Sequence, residues 1–298
     1  MINVRENQVA VIGLGTMGKG ISRLLLQADY EVHVHDPFLA DEAPSGARVV
    51  SSIEECVSGA SVVFEAVSED LDVKAKVLRT ISHATDGLIA SNTSTFMPSV
   101  LADSVLNPER FLVGHFFNPA DIIPLVEVVP HPKTRPESVD LFTSLLLKLG
   151  KRPVLLSAER PGFVANRLQA AVLREALSLV EAGVVTAADI DAIVTSGLAA
   201  RWAAVGPIGV ADLGGLDIFR AVCTQIFPSL DNSATPNALL VDRVTRGELG
   251  AKSSSGFYQH SASSVAAVQE AVTRILSVQQ EIEQLTPATS VERAERGR

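Results

Sequence analysis

Three groups of residues in this chain have types and spacings that could do chemistry. The first is Gly13-Leu14-Gly15-Thr16-Met17-Gly18, a G-x-G-x-x-G spacing. Glycine at Gly13 allows a tight turn, at Gly15 close approach of backbone to a pyrophosphate, and at Gly18 close packing of a helix on a strand. The free N–H groups and positive dipole end of that helix would then face the phosphates. The second is Asp36, 23 residues after Gly13. Its carboxylate can accept hydrogen bonds from the hydroxyls of an adenosine ribose and would repel a 2′-phosphate, which favours NAD over NADP. FAD uses the same glycine turn, so the glycines alone do not name the cofactor. The third group is Gly114-His115-Phe116-Phe117-Asn118-Pro119, followed by Pro124-Leu125-Val126-Glu127-Val128-Val129. A neutral imidazole at His115 can take a hydroxyl proton while hydride leaves the same carbon. Glu127 can orient that ring, fix its tautomer and stabilise the imidazolium. A lone histidine at a strand end also serves as an ordinary structural residue. Its combination with a nucleotide turn upstream is what points to catalysis.

These residues require elements that position them. Gln8–Ile12 is a β-branched run ending at glycine and reads as a buried strand, with a helix following from about Met17 to Ala28. Glu31–His35 reads as a second strand, terminated by Asp36. Ser61–Phe64, Gly87–Ala90, Phe111–Gly114 and Leu125–Val129 read as further strands, several of them separated by helical stretches. Strand alternating with helix predicts a parallel sheet covered on both faces, an α/β Rossmann-type doubly wound domain over residues 1–159. His115 then follows its strand, at the sheet end where such folds place their active sites. From Phe163 to Ala182 the spacing of Val164, Leu168, Ala171, Val172, Glu175, Leu179 and Ala182 is helical. Helices are also expected from near Thr186, over Asp217–Phe227 and over Asn237–Thr245, so residues 160–285 read as an all-helical C-terminal domain. Val265, Val268, Val272, Ile275, Ile282 and Leu285 form one apolar stripe, suited equally to its own domain or to a partner helix. The polar stretch 286–298 is expected to be a disordered tail.

Composition narrows the class. The net charge of -9, with no basic stripe, argues against nucleic acid or an anionic membrane as the main partner. No apolar run approaches the roughly 20 residues of a membrane span, and the N-terminal stretch lacks the pattern of a signal peptide. Cys56 and Cys223 lie far apart, without metal spacing, as expected of a reducing, cytoplasmic compartment.

The string HFFNP with PLVEV, together with SNTS at 91–94 and PGFVANR at 161–167, closely resembles the L-3-hydroxyacyl-CoA dehydrogenase family, which includes 3-hydroxybutyryl-CoA dehydrogenases. The resemblance covers roughly residues 7–260. It implies a Rossmann domain with NAD, a helical domain that dimerises, and an acyl thioester substrate. It makes His115 the base and Glu127 its partner. Ser94 matches the serine near the substrate oxygen and nicotinamide, and Asn166 the asparagine that completes the site. Glu69 and Lys74 match residues near the cofactor, the lysine also approaching CoA, and Asn118 and Lys252 match further cofactor contacts. Plainer roles compete: Ser94 as a helix cap before FMPSV, Asn166 as a surface helix residue, Lys74 as a solvated charge. A crystallin-like or NAD-sensing protein could keep the fold, but need not retain Ser94, His115, Glu127 and Asn166 together. A 2-methyl-3-hydroxyacid dehydrogenase, with a lysine base in a similar two-domain plan, is disfavoured by HFFNP and its glutamate.

The chain departs from the family in two places. Only 16 residues separate Asp36 from Ile53, where the family carries a helical hairpin that helps hold the CoA nucleotide. Three substrate handles therefore stay open. One is CoA held by other contacts. Another is an acyl carrier protein, as in a branch acting on glyceryl groups for polyketide extender units. The third is a small free 3-hydroxy acid. In the 250–258 motif, serine stands at Ser254 where the family has glycine, which bears on the loop that holds Lys252. Asp36→Ala is expected to narrow the preference for NAD over NADP, read as the ratio of kcat/KM values; an unchanged ratio would mean that Asp36 does not face the ribose.

Overall fold

The computed structural model describes residues 5–285, so the tail expected over 286–298 lies outside the described residues. The chain divides into two compact units, Met1–Arg167 and Leu168–Arg298.

The first unit alternates strand and helix. In chain order it contains β1 (Arg5–Ile12), α1 (Thr16–Gln27), β2 (Glu31–His35), β3 (Arg48–Val49), α2 (Ile53–Val57), β4 (Ala60–Glu65), α3 (Leu71–Ala84), β5 (Leu88–Ser91), α4 (Pro98–Ala102), β6 (Phe111–Phe116), β7 (Leu125–Pro130), α5 (Pro136–Lys148) and β8 (Arg152–Leu155). The strands form one eight-stranded sheet in the order β3-β2-β1-β4-β5-β6-β7-β8. Period-two alternation splits the sheet's side chains between two cores. Val9, Val11, Val32 and Val34 pack with Leu25 and Phe142 on one face. Ala10, Ile12, Val63 and Ile89 pack with Leu78 and Ile81 on the other. Burial on both faces is why the central strands are near-continuous apolar runs.

The sheet differs from the sequence expectation in three ways. β3 and β8 are additional edge strands. β3 is a two-residue strand with both side chains exposed, and β8 contains Pro153, so neither carries the apolar run that marks a buried strand. The sheet is not wholly parallel, because β6 and β7 pair antiparallel. And His115 lies inside β6, not after it, directly opposite Glu127 of β7 in the ladder.

The second unit is helical. α6 (Ala165–Glu181) is followed by α7 (Ala187–Ile193), a π-helical turn at Val194–Leu198, α8 (Ala199–Gly214), α9 (Leu216–Ile226), α10 (Ala238–Thr245) and α11 (Ala262–Leu285). The expected start near Thr186 is a capping box: the Thr186 hydroxyl accepts from the Asp189 N–H while the Asp189 carboxylate accepts from Thr186. Residues 187–214 form a helical stretch with an 18-residue window of mean hydropathy 1.3, long and apolar enough by length and composition alone to cross a membrane. The sequence reading found no apolar run approaching 20 residues, and Asp189, Asp191, Arg201 and Asp212 punctuate this stretch. The stretch is broken at Gly206, whose φ of 72° precedes Pro207. Ser254 adopts φ 62°, the left-handed region that favours glycine, so the 250–258 turn takes that conformation with serine in place. Among the described residues of this unit, Leu177 is the one buried apolar side chain.

Candidate active site

A cleft of about 820 Å³ lies within the first unit and runs from Asp36 to His115. The end at the glycine turn is built by close backbone packing. Gly13 has φ 97°, and a Cβ on Gly18 would stand 1.8 Å from the Gly13 carbonyl oxygen, so α1 can start this close to β1 only with glycine at both positions. A Cβ on Gly15, by contrast, would meet nothing within 4 Å, because that residue borders the open cleft. α1 begins at Thr16 with no side-chain cap at Gly15, which leaves its first N–H groups for an anion. Leu14 and Met17 flank this turn, Leu14 fully buried and Met17 at the cleft wall. Asp36 lies at the far end of the cleft, at the tip of β2. Its Oδ2 accepts from Leu14 N–H at 2.7 Å and its Oδ1 from Phe38 and Leu39 N–H. Those bonds aim the carboxylate and leave lone pairs for further donors. A pyrophosphate cradle with an aimed acidic residue fits NAD.

The other end holds the polar side chains. His115 Nδ1 stands 2.9 Å from Glu127 Oε2, both residues buried. Glu127 Oε1 accepts from the N–H groups of Val164 and Ala165, at 3.0 and 2.9 Å, where α6 begins. Burial pushes the Glu127 carboxyl up. The hydrogen bond from His115 and those from Ala165 and Val164 outweigh it and hold the group below its ordinary value. An ionised carboxylate only accepts, so Nδ1 carries a proton, and in the neutral imidazole the lone pair is then on Nε2. The ring is flanked by Phe117 at 4.4 Å and Phe163 at 5.4 Å between centroids.

Ser94, Asn166 and Glu69 also line the cleft. Asn166 Nδ2 donates to the Ser94 carbonyl at 3.4 Å, within the first unit. Glu69 Oε1 accepts from Thr93 Oγ1, Thr95 Oγ1 and the N–H groups of Ser94 and Thr95, at 2.6 to 2.9 Å. Burial raises the Glu69 carboxyl, but these hydrogen bonds and the charge of Lys74 bring it below its ordinary value. Glu69 therefore fixes the loop that carries Ser94. Ser94 caps no helix, since α4 begins at Pro98 with Met97 at its N-cap. Asn118 lines the cleft as well.

One sequence-derived residue of the first unit sits elsewhere. Lys74 is neither a solvated charge nor part of the cleft wall. It is 1% exposed, donates to Glu65 at 2.9 Å and to the Val67 carbonyl at 3.2 Å, and lies 3.4 Å from Glu69. Glu65, itself fully buried, also accepts from Ser91 Oγ and Val67 N–H. Lys252 belongs to the second unit, in an exposed turn. Asn92 was not singled out by sequence. It lines the cleft and its Oδ1 accepts from Phe116 N–H at 3.0 Å, next to His115. Its place inside SNTS was the available signal.

Fold and cleft together define an NAD-dependent dehydrogenase. The family description "3-hydroxyacyl-CoA dehydrogenase, NAD binding domain" matches residues 8–48 and 39–159, and "3-hydroxyacyl-CoA dehydrogenase, C-terminal domain" matches 162–260. A 5-formyl-3-hydroxy-2-methylpyridine 4-carboxylate 5-dehydrogenase of Mesorhizobium japonicum is 32% identical over 302 residues, covering 92% of this chain and 98% of that one. A solved structure of a dehydrogenase of that name has a TM-score of 0.86 at 31% identity, over 94% of this chain and 99% of its own. A 3-hydroxybutyryl-CoA dehydrogenase of Mycobacterium tuberculosis is 33% identical over 286 residues, covering 85% of this chain and 98% of that one. The chain belongs to the 3-hydroxyacyl-CoA dehydrogenase family, and its activity is of the NAD-dependent 3-hydroxyacyl-CoA dehydrogenase type.

Removing one member of a buried ion pair strands the other charge without solvent. Lys74→Ala is accordingly expected to destabilise the protein by about 3 kcal/mol in denaturant unfolding; a change within experimental error would mean that water reaches Glu65.

Proposed function

We propose that the chain oxidises the 3-hydroxyl of an acyl substrate, with His115 as the base and Glu127 as its orienting partner. The observation that carries this reading is the buried 2.9 Å contact between His115 Nδ1 and Glu127 Oε2 at the cleft wall. His115 Nε2 takes the hydroxyl proton as the carbon–hydrogen bond breaks. The carboxylate of Glu127, fixed by the Val164 and Ala165 N–H groups, stabilises the imidazolium that forms. Ser94 and Asn166 hold hydrogen-bond donors near the oxygen that becomes a carbonyl. Phe117 and Phe163 limit water around the ring. NAD, when bound, supplies the hydride acceptor. Gly13, Gly15 and Gly18, with Leu14, Thr16 and Met17, would hold its pyrophosphate, Asp36 its adenosine ribose, and Asn118 its nicotinamide half. Glu69 serves by positioning Ser94, and Lys74 by positioning Glu69 and Glu65. For Lys252 the support is the family resemblance alone.

The names of the hydroxyacyl-CoA relatives favour a CoA thioester as substrate. A second reading, a substrate without the CoA nucleotide, has its own observations. The Asp36–Ile53 connection holds a single helical turn at Ala40–Glu42 and the short β3, and Glu42 pairs with Lys19 of α1. The family match breaks into two segments at 39–48, within this connection. A relative that this chain covers almost end to end is named for a pyridine carboxylate. In that reading the acyl group is carried by a carrier protein or is a small free acid.

The exposed apolar helices support a homodimer through the second unit, since one buried apolar side chain among its described residues is too small a core for its length.

Three measurements test these readings. His115→Ala is expected to lower kcat about 10³-fold while NAD affinity, read by fluorescence titration, stays within a few-fold; near-normal NAD reduction would overturn the assignment. A 3-hydroxyacyl-CoA should give a lower kcat/KM than the same acyl group on a carrier protein or as the free acid, if the nucleotide has lost its wall; an equal or better rate with CoA sinks the second reading. The midpoint of thermal unfolding should rise with protein concentration, as mass action requires of an obligate dimer; a concentration-independent midpoint would contradict it.

A further inference from the structure

α11 lies beyond residue 260, where the match to the family's C-terminal domain ends. One side of it faces its own unit: Val265, Val272, Leu276 and Gln279 are partly buried, and Gln279 Nε2 donates to the Ala203 carbonyl at 3.2 Å. The adjoining stripe is uncovered. Val268 is 64% exposed, Ile275 62% and Val278 46%. Val268, Ala271, Ile275 and Val278 alternate at four- and three-residue steps, and the sequence continues the same rhythm at Ile282 and Leu285. These are successive a and d positions of a heptad. A repeat of 3.5 residues is the narrow seam of a coiled coil, whereas a helix packed on a globular core shows a wider stripe of period 3.6.

We propose that α11 pairs antiparallel with α11 of a second copy of this chain through this seam, extending the self-association proposed above to a helix outside the matched family domain. The argument for a second copy, and for that direction, is charge. With Val268 and Ile275 at a, the g positions are Ala267, Arg274 and Glu281, the two charged ones both exposed. In an antiparallel pair g faces g, and the a–d layers that set Ile275 on Val278 of the second copy bring Arg274 level with Glu281 of that copy. Two-fold symmetry makes the pair twice. In a parallel pair g faces e, and Arg274 would meet the neutral Gln279. The helix is thus complementary to itself in one direction only. An isologous contact of this kind closes on itself, so it yields a discrete dimer and not a filament.

The test is sedimentation equilibrium on the full chain. Val268→Asp/Ile275→Asp should raise the dimer dissociation constant at least tenfold. Arg274→Glu should raise it several-fold, and Arg274→Glu/Glu281→Arg should restore it towards wild type, which a folding defect would not do. A dimeric wild type whose dissociation constant is unchanged by the aspartate substitutions, or a double reversal that is no better than Arg274→Glu alone, overturns the seam and leaves the dimer through residues 168–260 standing. A monomeric wild type overturns both.

Discussion

The two oxygens of Glu127 are the constraint on which the His115 end of the cleft depends. One holds the His115 ring and the other accepts from two backbone N–H groups where α6 begins. A single carboxylate therefore ties together β6, β7 and the start of α6, the helix that also carries Asn166. The arrangement needs the antiparallel β6–β7 pair. Residues directly opposite in such a ladder have neighbouring side chains on one face, so His115 and Glu127 meet although 12 residues separate them. In a parallel pair of the same strands the two residues would share no hairpin. The carboxylate is buried, and hydrogen bonds to an ionised group offset that cost better than neutral ones do. With every protein contact of Glu127 a donor, the charged form is the one the fold selects, and the histidine tautomer follows from it.

The same logic is repeated one layer below. Glu65 and Lys74 are fully buried, and such a pair contributes little net stability compared with apolar packing. Its value is geometric. Glu65 ends β4 and also receives Ser91 at the end of β5, while Lys74 reaches from α3 towards Glu69. Glu69 in turn collects the N–H and O–H groups of residues 93–95. The line from Glu65 through Lys74 and Glu69 to Ser94 is thus a relay of charge-assisted contacts. It sets the serine loop against two strand ends that packing already fixes.

Much of this was legible in the sequence, for a physical reason. Glycines in a phosphate turn and an acidic residue at a strand tip are dictated by backbone geometry and local charge, so Gly13, Gly15, Gly18 and Asp36 could be read from spacing. The strand Glu31–His35 and the cap at Thr186 were legible because their signals are local. What the sequence left hidden is tertiary. Lys74 on a helix looks like any solvated lysine until Glu65 is placed under it. β3 and β8 are edge strands held by a neighbour's ladder, with no apolar pattern of their own. The direction of β7 depends on the hairpin that returns from Asn118 to Leu125, where an expectation of uniform βαβ crossovers is misleading. Asn92 lies inside SNTS, but its contact with the backbone of Phe116 is tertiary and cannot be read from that string.

The two units differ in how their folding is driven. Ordering one residue costs roughly 1–2 kcal/mol of backbone entropy, and fully burying a large aliphatic side chain returns about 1.5–3 kcal/mol. The first unit meets that cost with apolar cores on both faces of its sheet. In the second unit Ile208, Leu213 and Val184 are 81%, 78% and 69% exposed, and only Leu177 among its described apolar side chains is buried. Helix propensity and caps such as Thr186 contribute about 1 kcal/mol each, far too little to order six helices. Apolar area covered by a second copy of the chain, as proposed above, would supply the missing term. Asn166, which lines the cleft, stands in the first turn of α6, a helix that runs on from the first unit into the second, so in the proposed dimer the same helix would serve the cleft and the association.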